Sequence, residues 1–483
     1  MVRIQLMLIF EAHKIFKSIE KACCFLLTHP APVFVGLSGG IDSCVLLILV
    51  KKFCDQHGLF CQAIHINHGL QAQAVAWERH CQQLCAQLGV PLVIKKAEIT
   101  AFSRRKQGLE GAARAARFAL FFEQVPAGGV LCLAHHLNDQ AETFLLHLMR
   151  GSGVLGLGAI RERLLFNRRN VIRPLLSISR VEIEQFAAAN QLGWVEDPSN
   201  QDDKIARNYL RHKVLPFLHE KWPHALAQVA KSALFCQETQ DLLDELASDD
   251  LSKVRIEADQ LDIDALSLLS MVRQKNLLRF WFRALKVSLP SKKVLNEIIF
   301  LSEVQNESYT TLIQWGGVSV RRFRKRLMLL KRPVLDTKNK QQSDHVSDKT
   351  EYLWHINLAD TEGSTSWLGG KCLFKKIKGQ GISCHLLAQN LAKTQGGLRV
   401  KRKQGGEKIK PADKPHHRHL KNIFQEQAVP VWMREICPLL YFNEALIALP
   451  KIEQVANSKS ITAEGWQVTS SEEQGIVFSF ELI

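Results

Sequence analysis

Between residues 32 and 150 the chain alternates short, continuously apolar runs with longer segments whose apolar residues recur every three or four positions. The apolar runs are PVFVGLS (32–38), FCQAIHIN (60–67), PLVIKKA (91–97) and VLCLAHH (130–136). The periodic segments are 41–58, 73–88, 109–124 and 139–150, with glycine at 58, 89 and 151 as stops. Strands that are apolar throughout are buried on both faces, and a helix between each pair makes them parallel. Right-handed crossovers then predict a doubly wound parallel α/β domain. Such sheets bind ligands beyond the C-terminal ends of their strands, so the loops 38–43, 65–69 and 135–142 are where chemistry is expected.

The pattern changes after Trp222-Pro223. Residues 224–334 read as a mainly helical domain, with Leu and Ala at spacings of three and four over 224–247 and 264–286. Residues 335–352 are polar and read as a linker. Residues 353–483 carry Gly-Gly, Pro and Asn punctuation and read as a small, basic, β-rich α+β domain, leaving 1–223 as the first domain. Lys and Arg number 63 against 47 acids, a net charge of +16, which points to a polyanionic partner. The twelve cysteines contain no C-x-x-C pair, which argues against a zinc ribbon or a dithiol redox site and for reduced thiols. The apolar runs are too short to span a bilayer, and the N-terminal MLIF run is followed at once by Glu11, His13 and Lys14, so a cytoplasmic enzyme with no membrane partner is expected.

The first predicted strand runs into Ser38-Gly39-Gly40-Ile41-Asp42-Ser43 and then opens a helix. Two residues without Cβ let the backbone bend sharply and approach an anion, and the amides that follow point at one spot at a helix N-terminus. Ser38 and Ser43 add hydroxyls; Asp42 either caps the helix or helps to hold a magnesium ion. A Walker loop, G-x-x-x-x-G-K-[ST], is absent.

S-G-G-x-D-S at the first strand end resembles the pyrophosphate loop of the N-type ATP pyrophosphatases. Four further stretches, in order, resemble the tRNA(Ile)-lysidine synthase family: IHINHGLQ (64–71), with His65; GLEGAARAARF (108–118), with Glu110, Arg114 and Arg117; AHHLNDQAETFLLHLMRGSGVLGL (134–157), with His136, Asp139, Glu142 and Arg150; and WVEDPSNQDDKIARNYLR (194–211), with Arg207, Asn208 and Arg211. The stretch 398–451 resembles the family's terminal domain. Three positions depart from the family pattern: Asn138 stands where H-x-x-D-D-Q has its first Asp, Ile205 where an aromatic residue is usual, and Gly405-Gly406-Glu407 where an Asp is usual.

The resemblance implies a ligase that uses ATP and magnesium to join free L-lysine to the wobble cytidine of the isoleucine tRNA with a CAU anticodon. AMP is first transferred to the oxygen on carbon 2, and the ε-amine of lysine then attacks that carbon. It further implies that Ser38 to Ser43, His65 and His136 hold the nucleotide, and that Asp42, Asp139, Glu142 and Arg114 are catalytic, Asp139 and Glu142 orienting the lysine ammonium and accepting its proton. Arg150, Arg207, Asn208, Arg211, Arg322, Arg324, Lys401, Arg402 and Lys421 are expected to meet tRNA. Residues 401–421 carry eight Lys or Arg against Glu407 and Asp413; the interspersed His416, His417 and His419 read as phosphate contacts or as a metal tract. Oligomeric state is open, a homodimer among the options. Two competing readings remain: a tRNA thiolase of the same superfamily, which would need reactive cysteines, and an RNA-binding relative without catalysis.

Overall fold

In the computed structural model the described residues are 13–67, 74–97, 114–303, 311–330, 351–368, 370–393, 398–455 and 458–482. The MLIF run, Gly69, Glu110 and the polar stretch 335–350 lie outside them. The chain divides into two compact units, 1–243 and 244–483.

The first unit is built on a six-stranded sheet: β1 (Val33–Gly36), β2 (Cys61–Asn67), β3 (Leu92–Lys96), β4 (Val130–Cys132), β5 (Arg163–Phe166) and β6 (Arg169–Ile172), in the order β3-β2-β1-β4-β6-β5. Four of the pairings are parallel, as the apolar runs predict. The edge is not: β5 runs antiparallel to β6, which corrects the expectation of a wholly parallel sheet. A two-residue turn makes this hairpin, with Asn167 and Arg168 both at positive φ, the geometry that matches the right-handed twist of the flanking strands. The run 130–136 is also a strand only as far as Cys132.

Period-two alternation distributes the sheet between two layers. Val33, Val35, Cys61, Ala63, Val130, Cys132 and Ile172 pack against α1 (His13–Cys23), α2 (Ile41–Gln56), α3 (Ala74–Leu88) and Arg180–Ala189. Phe34, Ile64, Ile66, Leu131, Leu133 and Val171 face a helix over 114–124, α4, through Phe121. Helix α2 is apolar nearly all round, as a helix in the middle of a layer must be. The helix Arg180–Ala189 starts with a capping box: Ser179 N–H donates to Glu182 Oε2 (2.8 Å) and Glu182 N–H to Ser179 Oγ (3.3 Å).

The second unit carries the helical middle region and, within it, an antiparallel five-stranded sheet that a reading as mainly helical does not contain: Arg255–Glu257, Gln260–Asp262, Arg326–Leu330, Val318–Phe323 and Leu312–Trp315. Leu277, Leu278, Trp281 and Phe282 of the helix Met271–Ala284 lie on one face and seal against this sheet; each contributes about 1.5–3 kcal/mol by leaving water. The remainder is β-rich, with two further five-stranded sheets around Trp354, Phe374, Phe478 and Phe480 and around Leu439, Trp432 and Phe424. Among the described residues no helix is long and apolar enough to cross a membrane.

Candidate active site

The bend after β1 is held by its own side chains. Ser43 is buried; its hydroxyl donates to Gly40 O (2.8 Å) and accepts from Ser38 N–H (3.1 Å), and lies 3.0 Å from Ser38 Oγ. Gly39 sits at φ +90°, and a Cβ there would come 3.0 Å from Val195 Cγ2 and 3.3 Å from Cys81 Sγ. Glycine is required there on both counts. Val195 N–H donates to Gly39 O (3.0 Å), so the segment 194–197 flanks the bend. His65, buried at the end of β2, holds Leu37 O through Nδ1 (2.9 Å). Its place is beneath the loop, where it sets the loop's entry.

Helix α5 (Leu137–Met149) begins beyond β4 and brings His136, Asp139 and Glu142 to the same sheet end. His136 N–H donates to Asp139 Oδ2 (3.1 Å), capping the helix. The His136 ring stands between two carboxylates, its Nε2 3.8 Å from Asp42 and 3.6 Å from Asp139. Burial pushes Asp42 above its ordinary value, against the pull of His136 and Arg180. Asp139 behaves differently: burial pushes it up, but His136, Arg207 and His135 outweigh that and hold it below the usual carboxylate range. Glu142 is fully buried. Arg207 Nε donates to Oε2 (2.7 Å), Arg211 Nε to Oε1 (2.7 Å) and Arg211 Nη2 to Oε2 (3.0 Å). Arg207 Nη2 reaches on to Asp139 Oδ1 (3.2 Å).

Arg207 and Arg211, expected on tRNA, thus stand in the site itself. They project from one helical rod made of Ala206–Tyr209, a wider π turn Leu210–Val214 and Leu215–Lys221. Asn208, expected beside them on tRNA, is buried and donates to Asp202 O (3.0 Å), closing the preceding loop. Arg150 is exposed at the end of α5. Arg114 is exposed, in the helix over 114–124, and its charge is felt at half-buried Arg117 and His135 and at buried Arg173. Burial lowers Arg173 to about 10 and His135 to about 3. In the second unit, Arg322 donates to Leu301 O and Ser302 O (both 3.2 Å), Arg324 to Gln425 O (3.2 Å) and Arg402 to Glu435 O (3.1 Å). Lys401 pairs with Glu444 (3.3 Å), while Lys421 is exposed.

Three residues of the site escape the sequence reading: Arg173, Val195 and Arg180. Arg180 Nη1 donates to both oxygens of Asp42 (2.9 and 2.8 Å), and its own N–H donates to Asn138 Oδ1 (3.0 Å). Asn138 therefore has a partner that needs only an uncharged oxygen. The one available signal was Ser179-x-x-Glu182, which marks a helix start at Arg180.

Magnesium uses one or two carboxylates together with substrate phosphates. Asp42 and Asp139, both within 3.8 Å of one nitrogen and next to the phosphate-type loop, fit that donor set. Among the described residues no group of three or more His, Cys, Asp or Glu side chains is arranged to hold a metal alone. Sulfur chemistry finds little support: Cys44 and Cys81, beside the loop, are both buried, and burial pushes both thiols up, Cys44 to about 12.

Three family models match the chain: a PP-loop domain over residues 11–218, a TilS substrate binding domain over 261–328 and a TilS substrate C-terminal domain over 398–470. It is 38% identical over 429 residues to the tRNA(Ile)-lysidine synthase of Yersinia pseudotuberculosis (strain IP 31758), covering 86% of this chain and 90% of that one. It is 36% identical to the enzyme of the same name from Legionella pneumophila (strain Lens), covering 86% and 89%. With that of Shigella flexneri it shares 35% identity, over 91% and 97%. With its ATP-binding loop, its acid–arginine cluster and its two substrate domains, the chain belongs to the tRNA(Ile)-lysidine synthase family.

Proposed function

We propose that the protein ligates L-lysine to carbon 2 of the wobble cytidine of a CAU-anticodon isoleucine tRNA, in the cytoplasm, releasing pyrophosphate and then AMP. The observation that carries this is the meeting of the Ser38–Ser43 bend with Asp42, Asp139 and the Glu142–Arg207–Arg211 cluster at one sheet end, in a chain of this family. Residues 1–223 carry the chemistry; 224–334 and 353–483 bind the tRNA.

In the first step the cytidine O2 attacks the α-phosphorus of ATP, and the bond to the β-phosphate breaks. Loop amides at 39–43 and the helix N-terminus stabilise the charge that develops on the departing pyrophosphate. Bound at Asp42 and Asp139, magnesium would neutralise phosphate charge. In the second step the ε-amine of lysine forms a bond to C2, the C2–O2 bond breaks, and AMP leaves carrying O2. Free lysine is protonated near neutral pH, its pKa being about 10.4, so a carboxylate must draw it in and a proton must leave. Asp139, which stays ionised, is the group that draws and orients the ammonium. Glu142 does not meet it, because arginines take both its oxygens; it is a positioning residue that aims Arg207 and Arg211. The test is mass spectrometry of the wobble nucleoside after incubation with ATP, lysine and a CAU transcript. Cytidine carrying the mass of lysine less water is expected; a thiolated or unchanged nucleoside would refute the proposal.

A further inference from the structure

The two carboxylates nearest the ATP loop are held by arginines of different kinds. Asp139 is paired to Arg207, which is itself locked to buried Glu142. Asp42 is paired to Arg180, which at the same time holds a second acid: Arg180 Nε donates to Glu184, one turn further along its helix (2.7 Å). The side chains of Arg180 and Glu184 are 35% and 51% exposed, so water reaches this pair. The contact with Asp42 is made through Nη1 alone, shared between both oxygens, and lacks the two parallel bonds that make an arginine–carboxylate fork strong. The arginine's backbone, by contrast, is fixed by Asn138 and by the Ser179 capping box. Release of Asp42 with Glu184 retained therefore involves the side chain only.

We propose that Arg180 is a displaceable counter-cation at Asp42: it neutralises the carboxylate in the empty enzyme and yields it, keeping Glu184, when a divalent ion arrives with the triphosphate. This rests on the reading of Asp42 as a magnesium ligand. Two carboxylate oxygens already engaged by a guanidinium are poor ligands for a bare ion. The exchange becomes favourable when phosphate oxygens complete the ion's shell. Arg180 thus disfavours metal without nucleotide, and it is a positioning residue.

The test is binding of Mn2+ alone, followed by electron paramagnetic resonance in the full-length protein, with Mn2+–ATP in parallel. Arg180→Gln should bind Mn2+ alone about two- to fivefold more tightly than the unsubstituted protein, the scale of one half-exposed ion pair removed. Adding Asp42→Asn should abolish the gain. Glu184→Gln, an exposed change that leaves the helix caps intact, should shift Arg180 further onto Asp42 and weaken Mn2+ binding about twofold. Unchanged Mn2+ affinity in both Arg180→Gln and Glu184→Gln, with Mn2+–ATP binding still lost in Asp42→Asn, would overturn the proposal and leave the magnesium reading standing. Unchanged Mn2+–ATP binding in Asp42→Asn would remove the reading of Asp42 itself.

Discussion

The charged side chains of the first unit's site are buried or half-buried and bound to one another, whereas most basic residues expected on tRNA in the second unit are tied to backbone carbonyls or to exposed carboxylates. Glu142 has no exposure and receives three arginine hydrogen bonds. Arg402 donates to a carbonyl, and Lys401 meets Glu444, whose side chain is 84% exposed. Low dielectric makes the first kind of charge strong and intolerant of a missing partner. Water and salt make the second kind weak, additive and replaceable. The difference matches the two tasks: aiming charge at a reacting phosphorus and carbon, and holding a polyanion without reading each of its groups.

Substitutions should separate the two regions by size and kind of effect. Asp139→Asn is expected to lower lysine-dependent AMP release about 10²–10⁴-fold with the fold retained, read from a release assay alongside circular dichroism. Near-normal turnover would place the lysine-orienting group elsewhere. Glu142→Ala leaves two arginines without their buried anion; urea unfolding should show a loss of about 3–5 kcal/mol, and activity should fall with it. Gly39→Ala imposes a Cβ at φ +90° against Val195, so ATP affinity should fall and stability drop by about 1–3 kcal/mol, checked by nucleotide titration and melting. His135 supplies a pH dependence. Its folded value near 3 lies below the unfolded value of about 6.5, so the unfolded chain takes up a proton that the native site refuses. The associated stability is fully present above about pH 6.5 and is lost as pH falls toward 3; His135→Asn should flatten urea midpoints compared at pH 7 and pH 5. Lys421→Ala, the smallest change, should weaken tRNA binding about twofold and lower the salt slope by about one. A large, salt-independent loss there would erase the contrast between the regions.

Much of the first unit was legible because its signals are local. The strand and helix runs from 33 to 96 follow from periodicity, and the Gly39-Gly40 bend falls where apolar pattern and helix start meet. The β5–β6 hairpin was not legible, since its turn places Arg168 at φ +61° without the glycine that usually marks such turns. The sheet in the middle region is built partly of three-residue strands, too short to show alternation. Within the site, the acids, His136, Arg207 and Arg211 stood out, but the pairing of arginines with acids did not. Asp42 and Arg180 are 138 positions apart, and Glu142 and Arg207 are 65 apart. Only packing discloses that Glu142 is buried, that Asn208 closes a loop and that Arg207 points inward.

The decisive measurement uses ATP labelled at its α-phosphorus, incubated with the protein and the CAU transcript in the absence of lysine. Label on the tRNA is expected with release of an equal amount of pyrophosphate, no label with Gly39→Ala, and discharge as AMP when lysine is added. Pyrophosphate release that waits for lysine, with the tRNA never labelled, would contradict this.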